Sequence, residues 1–206
     1  MRWIQILALT IAMGLSLAPE AAGQAAKEGA NPPVPPAPAT KLSPAQQRNE
    51  LLDRLFGRLQ TAKSEEEAKV AEQAIWRLWM HSGSATDDIL LEQAIKAMNA
   101  RQYDEATQIL DALIEHAPSF AEAWNKRATV NYITGRLDRS LSDIDKVLEL
   151  EPRHFGALSG LGMIRRDRGD ERGALDAFRD ALAINPHMSS VRDAVKSLEK
   201  DLEQKI

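Results

Sequence analysis

The sequence predicts an all-α protein, an α-solenoid built from stacked antiparallel helix hairpins. Three observations lead there. Pro118, Pro152 and Pro186 stand 34 residues apart, and Leu110, Ile144 and Phe178 keep the same interval. The stretch Ala121–His154 reads as two short amphipathic helices joined at Gly135 and closed by Pro152, and its neighbours copy it. A hairpin of this size buries only part of its apolar stripe alone, so a fixed period implies units that stack to complete a shared core.

Composition narrows the class. The chain has 206 residues, 44% hydrophobic and 27% charged, which suits one compact domain with extensions. A net charge of −4 with no concentrated basic face argues against a nucleic-acid partner. There is no cysteine, which removes disulfides, thiolate metal sites, a thiol nucleophile and lipidation at a Cys behind a leader.

Taken in order, the chain opens with Met1-Arg2 and an apolar run from Trp3 to Ala18. That pattern, followed by Ala21-Ala22-Gly23, predicts a bacterial-style secretory signal over residues 1–23, cut ahead of Gln24. The rival is an uncleaved anchor, but the run is shorter than the ~20 residues a spanning helix needs. The expected compartment is the periplasm, with no membrane span after cleavage. Residues 24–42 follow as a Pro/Ala-rich linker, with five prolines between Glu28 and Ala39. Proline fixes φ and donates no hydrogen bond, so this stretch is taken as an extended spacer rather than a docking ligand.

Residues 43–83 predict a helix pair. Ser43-Pro44-Ala45-Gln46 supplies a capping Ser, Pro at the first helical position and Gln to cap in return. Leu52, Leu55, Phe56 and Leu59 then form an apolar stripe. Ser64-Glu65-Glu66-Glu67 is expected to be a second capping box, opening a helix with Ala68, Ala71, Ile75, Leu78 and Trp79 inward and ending at Gly83. This pair is expected to cap the first repeat, with Trp76 and Trp79 used in packing.

Three units then follow in register, at 87–120, 121–154 and 155–188. Leu90, Trp124 and Leu158 share one slot, and the small residues Ala94, Ala128 and Gly162 share the next, where helix axes must close up. Ala106, Ser140 and Ala174 form a second small slot, and Leu113, Val147 and Ala181 fill the last apolar one. The pattern of Trp, Gly, Ala, Phe and Pro at these offsets resembles the tetratricopeptide repeat family, over about half of the chain. The second repeat departs from it with Arg127 and Asn131, and the first with Gln93 and Ala97, where the family has Leu and Tyr. A buried Arg is costly unless paired. Arg127 is therefore read as partly exposed, the alternative being a partner such as Asp143 on the facing helix. Residues 189–206 close the stack as a capping helix, with Val191, Val195, Leu198 and Leu202 inward and charges outward. A coiled-coil seam is the rival reading of that helix.

No catalytic constellation is present. His81, His116, His154 and His187 lack metal-protease spacing and an obvious nucleophile. Gly156–Gly162 mimics a phosphate loop or Ser elbow, but both need a preceding strand. Glycines inside a helix cost about 1 kcal/mol each relative to Ala, so a neighbouring helix or a bound backbone is expected to need their space. The reading is no enzyme, no cofactor and no metal.

The resemblance implies a concave face lined by the first helix of each repeat. Its rows are Leu91, Asn125 and Ser159; Ile95, Thr129 and Met163; and Met98, Tyr132 and Arg166, flanked by Glu122 and Asn99. It grades from apolar near the first repeat to polar and basic near the third. The expected partner is another protein or peptide, held in that groove as an extended segment or a helix. A self-associating scaffold is the alternative. Family members that clamp acidic chaperone tails use five Lys/Asn/Arg positions; the matching slots here hold Leu91, Ile95, Lys126, Gly156 and Gly160, which argues against that activity.

Overall fold

The computed structural model describes residues 41–204. The expected signal segment 1–23 and the linker as far as Thr40 lie outside the described residues. Among those described there are nine α-helices and no strand. Two precede the repeats, α1 (Pro44–Thr61) and α2 (Glu65–Trp79). Six form the hairpins α3 (Ala85–Asn99) with α4 (Tyr103–His116), α5 (Ala121–Ile133) with α6 (Leu137–Leu150), and α7 (Phe155–Asp167) with α8 (Glu171–Ile184). The last, α9 (Ser189–Glu203), follows them. The starts of α4, α6 and α8 keep the 34-residue interval of the prolines. The chain is an α-solenoid.

The repeat slots become the core. Leu110, Ile144 and Phe178 are buried, as are Ala106, Ser140 and Ala174, and Leu113, Val147 and Ala181. At Gly162 the reason for a missing side chain is direct, since a Cβ there would sit 2.5 Å from two ring atoms of Phe178. Ser140 is tolerated in an Ala slot because its hydroxyl donates to the Ala128 carbonyl of α5 at 2.7 Å. Helix α9 closes the stack with Val191 and Leu198 buried against Leu175 and Phe178.

The turn between the two helices of each repeat needs one residue in the left-handed region. Gly135 and Gly169 supply it at φ 73° and 79°, but in the first repeat that place is held by Arg101 at φ 59°.

The first helix pair differs from expectation in three ways. Its opening capping box is present, with the Ser43 hydroxyl accepting from Gln46 N–H and the Gln46 side chain accepting from Ser43 N–H. The second box is only half made: Ser64 accepts from Glu67 N–H, while the Glu67 carboxylate reaches back to Lys63 N–H. Helix α2 ends at Trp79, before Gly83, which bends the following loop at φ 93°. The pair also does not cap the first repeat through its core. Leu52, Leu55, Phe56, Leu59, Ala68, Ala71, Ile75 and Trp79 share one apolar cluster with Phe155, and Ile184 and Met188 pack onto it. Its core therefore seats on the junction of the second and third repeats, and only Met80, just past α2, packs against the core of the first. The reason lies in aromatic complementarity. Trp79 stacks on His154 at 4.2 Å and 9°, and Trp76 and Trp79 both meet Phe155, at 5.5 and 5.1 Å.

Candidate functional site

Helices α5 and α7 lie side by side on the face formed by the first helices of the repeats, and between them opens a hole of about 200 Å3. Asn125, Thr129 and Tyr132 line it from α5, and Ser159, Gly160 and Met163 from α7. Two glycines on α7 shape it. At Gly160 the missing side chain leaves room above Ile144 of α6, which forms part of the floor, with Ile144 Cδ1 3.4 Å from where a Cβ would stand. Gly156 carries the ring of Trp76, whose Cη2 would lie 2.8 Å from its Cβ. The space that the glycines were expected to free is thus used by neighbouring helices at Gly156 and Gly162 and by an open hole at Gly160.

The hole brings together five of the nine expected groove residues, Asn125, Thr129, Tyr132, Ser159 and Met163. It does not include the other four. Leu91 is fully buried in the core of the first repeat, so it is no part of an open face. Ile95 and Met98 are half-buried against the same core, and Arg166 is exposed beside the hole. The apolar hole therefore lies between the second and third repeats rather than at the first. Residues of the hole that lay beyond the sequence reading are Ala128, Ser140, Ile144, Ala157 and Ile164. The run of glycines in α7 was the signal that pointed to them.

Next to the hole a buried polar network fixes the start of α7. His154, fully buried, accepts from the Ala157 N–H through Nδ1 at 3.0 Å, so Nδ1 caps the helix in place of the usual Ser or Asp. The proton then sits on Nε2, which donates to Glu122 Oε2 at 3.1 Å. Glu122 was expected to flank the groove, yet only 1% of it is exposed. Its other oxygen takes Lys126 at 2.6 Å, and Asn125 Nδ2 donates to both oxygens at 3.2 Å. Burial alone would raise its pKa, but the bond from His154 and the Lys126 charge hold it below the ordinary carboxylate range.

On the opposite side of α5 the departures of the second repeat also find partners. Arg127 is both partly exposed and paired: Nη2 and Nε donate to Asp143 at 2.6 and 3.1 Å, and Nη1 donates to Asp111 at 2.8 Å. Asn131 donates to Asp143 at 2.9 Å and accepts from Arg136 at 2.9 Å. Burial alone would lower the Arg127 pKa, and its two carboxylate partners raise it.

The remaining histidines are held as partners of acids or in loops. His116 Nδ1 lies 2.8 Å from Asp87, and His81 Nδ1 lies 2.9 Å from Asp88. Among the described residues no group of His, Asp and Glu side chains is arranged to hold a metal ion. Within the same residues no helix is long and apolar enough to cross a membrane.

Comparison with known proteins places these features in a family. The tetratricopeptide repeat profile matches residues 91–145 and 134–189. A TPR repeat-containing protein of Rhizobium etli is 36% identical over 176 residues, covering 82% of this chain and 86% of that protein. The first TPR domain of Spaghetti (RPAP3), bound to an HSP90 peptide, superposes with a TM-score of 0.55 at 18% identity, over 57% of this chain and 93% of that domain. The type III secretion chaperone SycD of Yersinia enterocolitica, in complex with a peptide of the translocator YopD, gives 0.54 at 11% identity, over 57% and 95%. At these identities the two structures establish the fold alone. The chain belongs to the tetratricopeptide repeat family.

Proposed function

We propose that this protein is an exported bacterial interaction module of the periplasm, which holds a segment of a partner protein in the groove between α5 and α7 and performs no catalysis. One observation carries the reading: the hole between these helices is open, apolar at its floor and lined by hydroxyl and amide groups at its rim. Such a surface suits a peptide, whose side chain fills the hole while its backbone bonds to the rim. The two peptide-bound structural neighbours support the same use of the fold. Export rests on the basic and apolar residues of 1–18 and the small residues before Gln24.

The groove is tested by replacing Met163 with Glu and comparing affinity capture from cell-envelope extract with that of the unchanged chain. Capture should fall sharply while the helical circular dichroism spectrum is kept. Undiminished capture by the folded variant would move binding to another face. Export is tested by fractionation: a mature chain that keeps Met1 or stays in the cytoplasm overturns it.

A further inference from the structure

We infer that the groove is a closed-ended slot made for an extended, uncharged segment that inserts one aliphatic side chain, with Trp76 of the α1–α2 pair as its end wall. This rests on the groove reading above and adds the chemistry of the occupant. Trp76 reaches this end through Gly156 and does not line the hole itself. The Trp76 ring stands on Gly156, which itself lines the hole, and its Nε1–H donates to Glu72 at 3.4 Å within α2. Lys126 lies 5.6 Å from the indole centroid with its ammonium on Glu122. That charge is already met from both sides, so it offers little to an acidic ligand.

Beyond the wall the lining holds no carboxylate, ammonium or guanidinium group. Tyr132 is its one ionisable residue, and its hydroxyl donates to Asp167 at 2.7 Å, which with partial burial raises its pKa. A charged side chain in the hole would lose its hydration without gaining a counter-charge from the lining, since Arg166 stands exposed outside it. An aliphatic one would pack against Ile144 and Met163, which line the hole. At the rim the half-buried Ser159 hydroxyl has no partner among the described residues and is free to bond a peptide backbone.

The test uses the full chain and two blocked pentapeptides, acetyl-Ala-Ala-Leu-Ala-Ala-amide and the same peptide with Asp in place of Leu, titrated by NMR. The Leu peptide should shift the Met163 methyl, the Tyr132 ring and the Trp76 indole signals saturably. The Asp peptide should bind weaker by roughly tenfold or more, as an unpaired charge replaces an apolar contact. Gly160→Leu, which fills the hole with the protein's own side chain, should abolish the response. Ser159→Asp on the half-buried rim should do so by charge, and it serves if Gly160→Leu does not fold. Equal affinity for both peptides overturns the aliphatic slot and leaves peptide binding in the groove standing. Shifts at Met163 without any at Trp76 overturn the end wall. No shift at the groove from either peptide overturns both this inference and the reading beneath it.

Discussion

Arg127 and Asp143 form a two-point ion pair across the second hairpin, at 2.6 and 3.1 Å, where the repeat pattern otherwise places apolar residues. Asp143 is 3% exposed, and it also accepts from Asn131, so removing it strands two donors at once. Hydrogen bonds to charged groups are worth about 1.5–3 kcal/mol each, less where solvent reaches the partner, as it does at Arg127. Asp143→Ala should cost roughly 2–3 kcal/mol in urea unfolding. Arg127→Leu combined with Asp143→Ala should recover at least half of that, because paired buried charges are often replaceable by apolar residues. A double variant less stable than Asp143→Ala would contradict this.

Two glycines in one helix should respond oppositely to the same substitution. Gly160→Ala meets only Ile144 Cδ1 at 3.4 Å, so the helix gains about 0.5–1 kcal/mol of propensity. Gly162→Ala drives a methyl into the Phe178 ring at 2.5 Å and should cost about 1–3 kcal/mol despite the same gain. Thermal denaturation of the two variants decides it, and equal shifts would mean that Phe178 moves freely.

Arg101 offers a stabilising change. At φ 59° a side chain costs about 1–2 kcal/mol relative to the allowed regions, and the matching turns of the other repeats use Gly135 and Gly169. Arg101→Gly should raise stability by up to about 1 kcal/mol, the rest being offset by the greater freedom of an unfolded glycine. A lower melting temperature would show that the Arg101 side chain has a role beyond the turn.

Glu122 links stability to pH. Its folded pKa lies below its unfolded value, so the stabilisation is fully present above pH of about 4.5 and is lost as pH falls through the folded value. Glu122→Gln keeps the size of the side chain and removes the titration. The stability gap between wild type and variant should be constant near neutrality and shrink as the pH drops below about 4.5. A gap that widens on acidification would reverse the assigned direction.

The repeats could be read residue by residue because their period is a local signal, carried by prolines and small residues at fixed offsets. The docking of the first helix pair could not. Its stripes Leu52–Leu59 and Ala68–Trp79 reveal two amphipathic helices, but which surface receives them depends on His154, Phe155 and Gly156, more than seventy residues further on. Arg127 illustrates the same limit. Its spacing identified Asp143 as one candidate partner, but only the packed hairpins bring in Asp111 from the preceding repeat as well. For the groove, register grouped Asn125, Thr129 and Tyr132 of α5 with Ser159 and Met163 of α7, which line one hole, yet it could not show that Leu91 is sealed inside the first repeat or that Glu122 turns inward to His154.

The groove between α5 and α7 is tested most directly by photo-crosslinking in the native cell, with a benzophenone amino acid at Thr129 on the open face or at Ala112 on the exposed side of α4. The account predicts a crosslinked adduct to a different protein from position 129 and none from 112. Adducts from 112 alone would contradict it, and an adduct from 129 of twice the chain mass would assign the groove to a second copy of this protein.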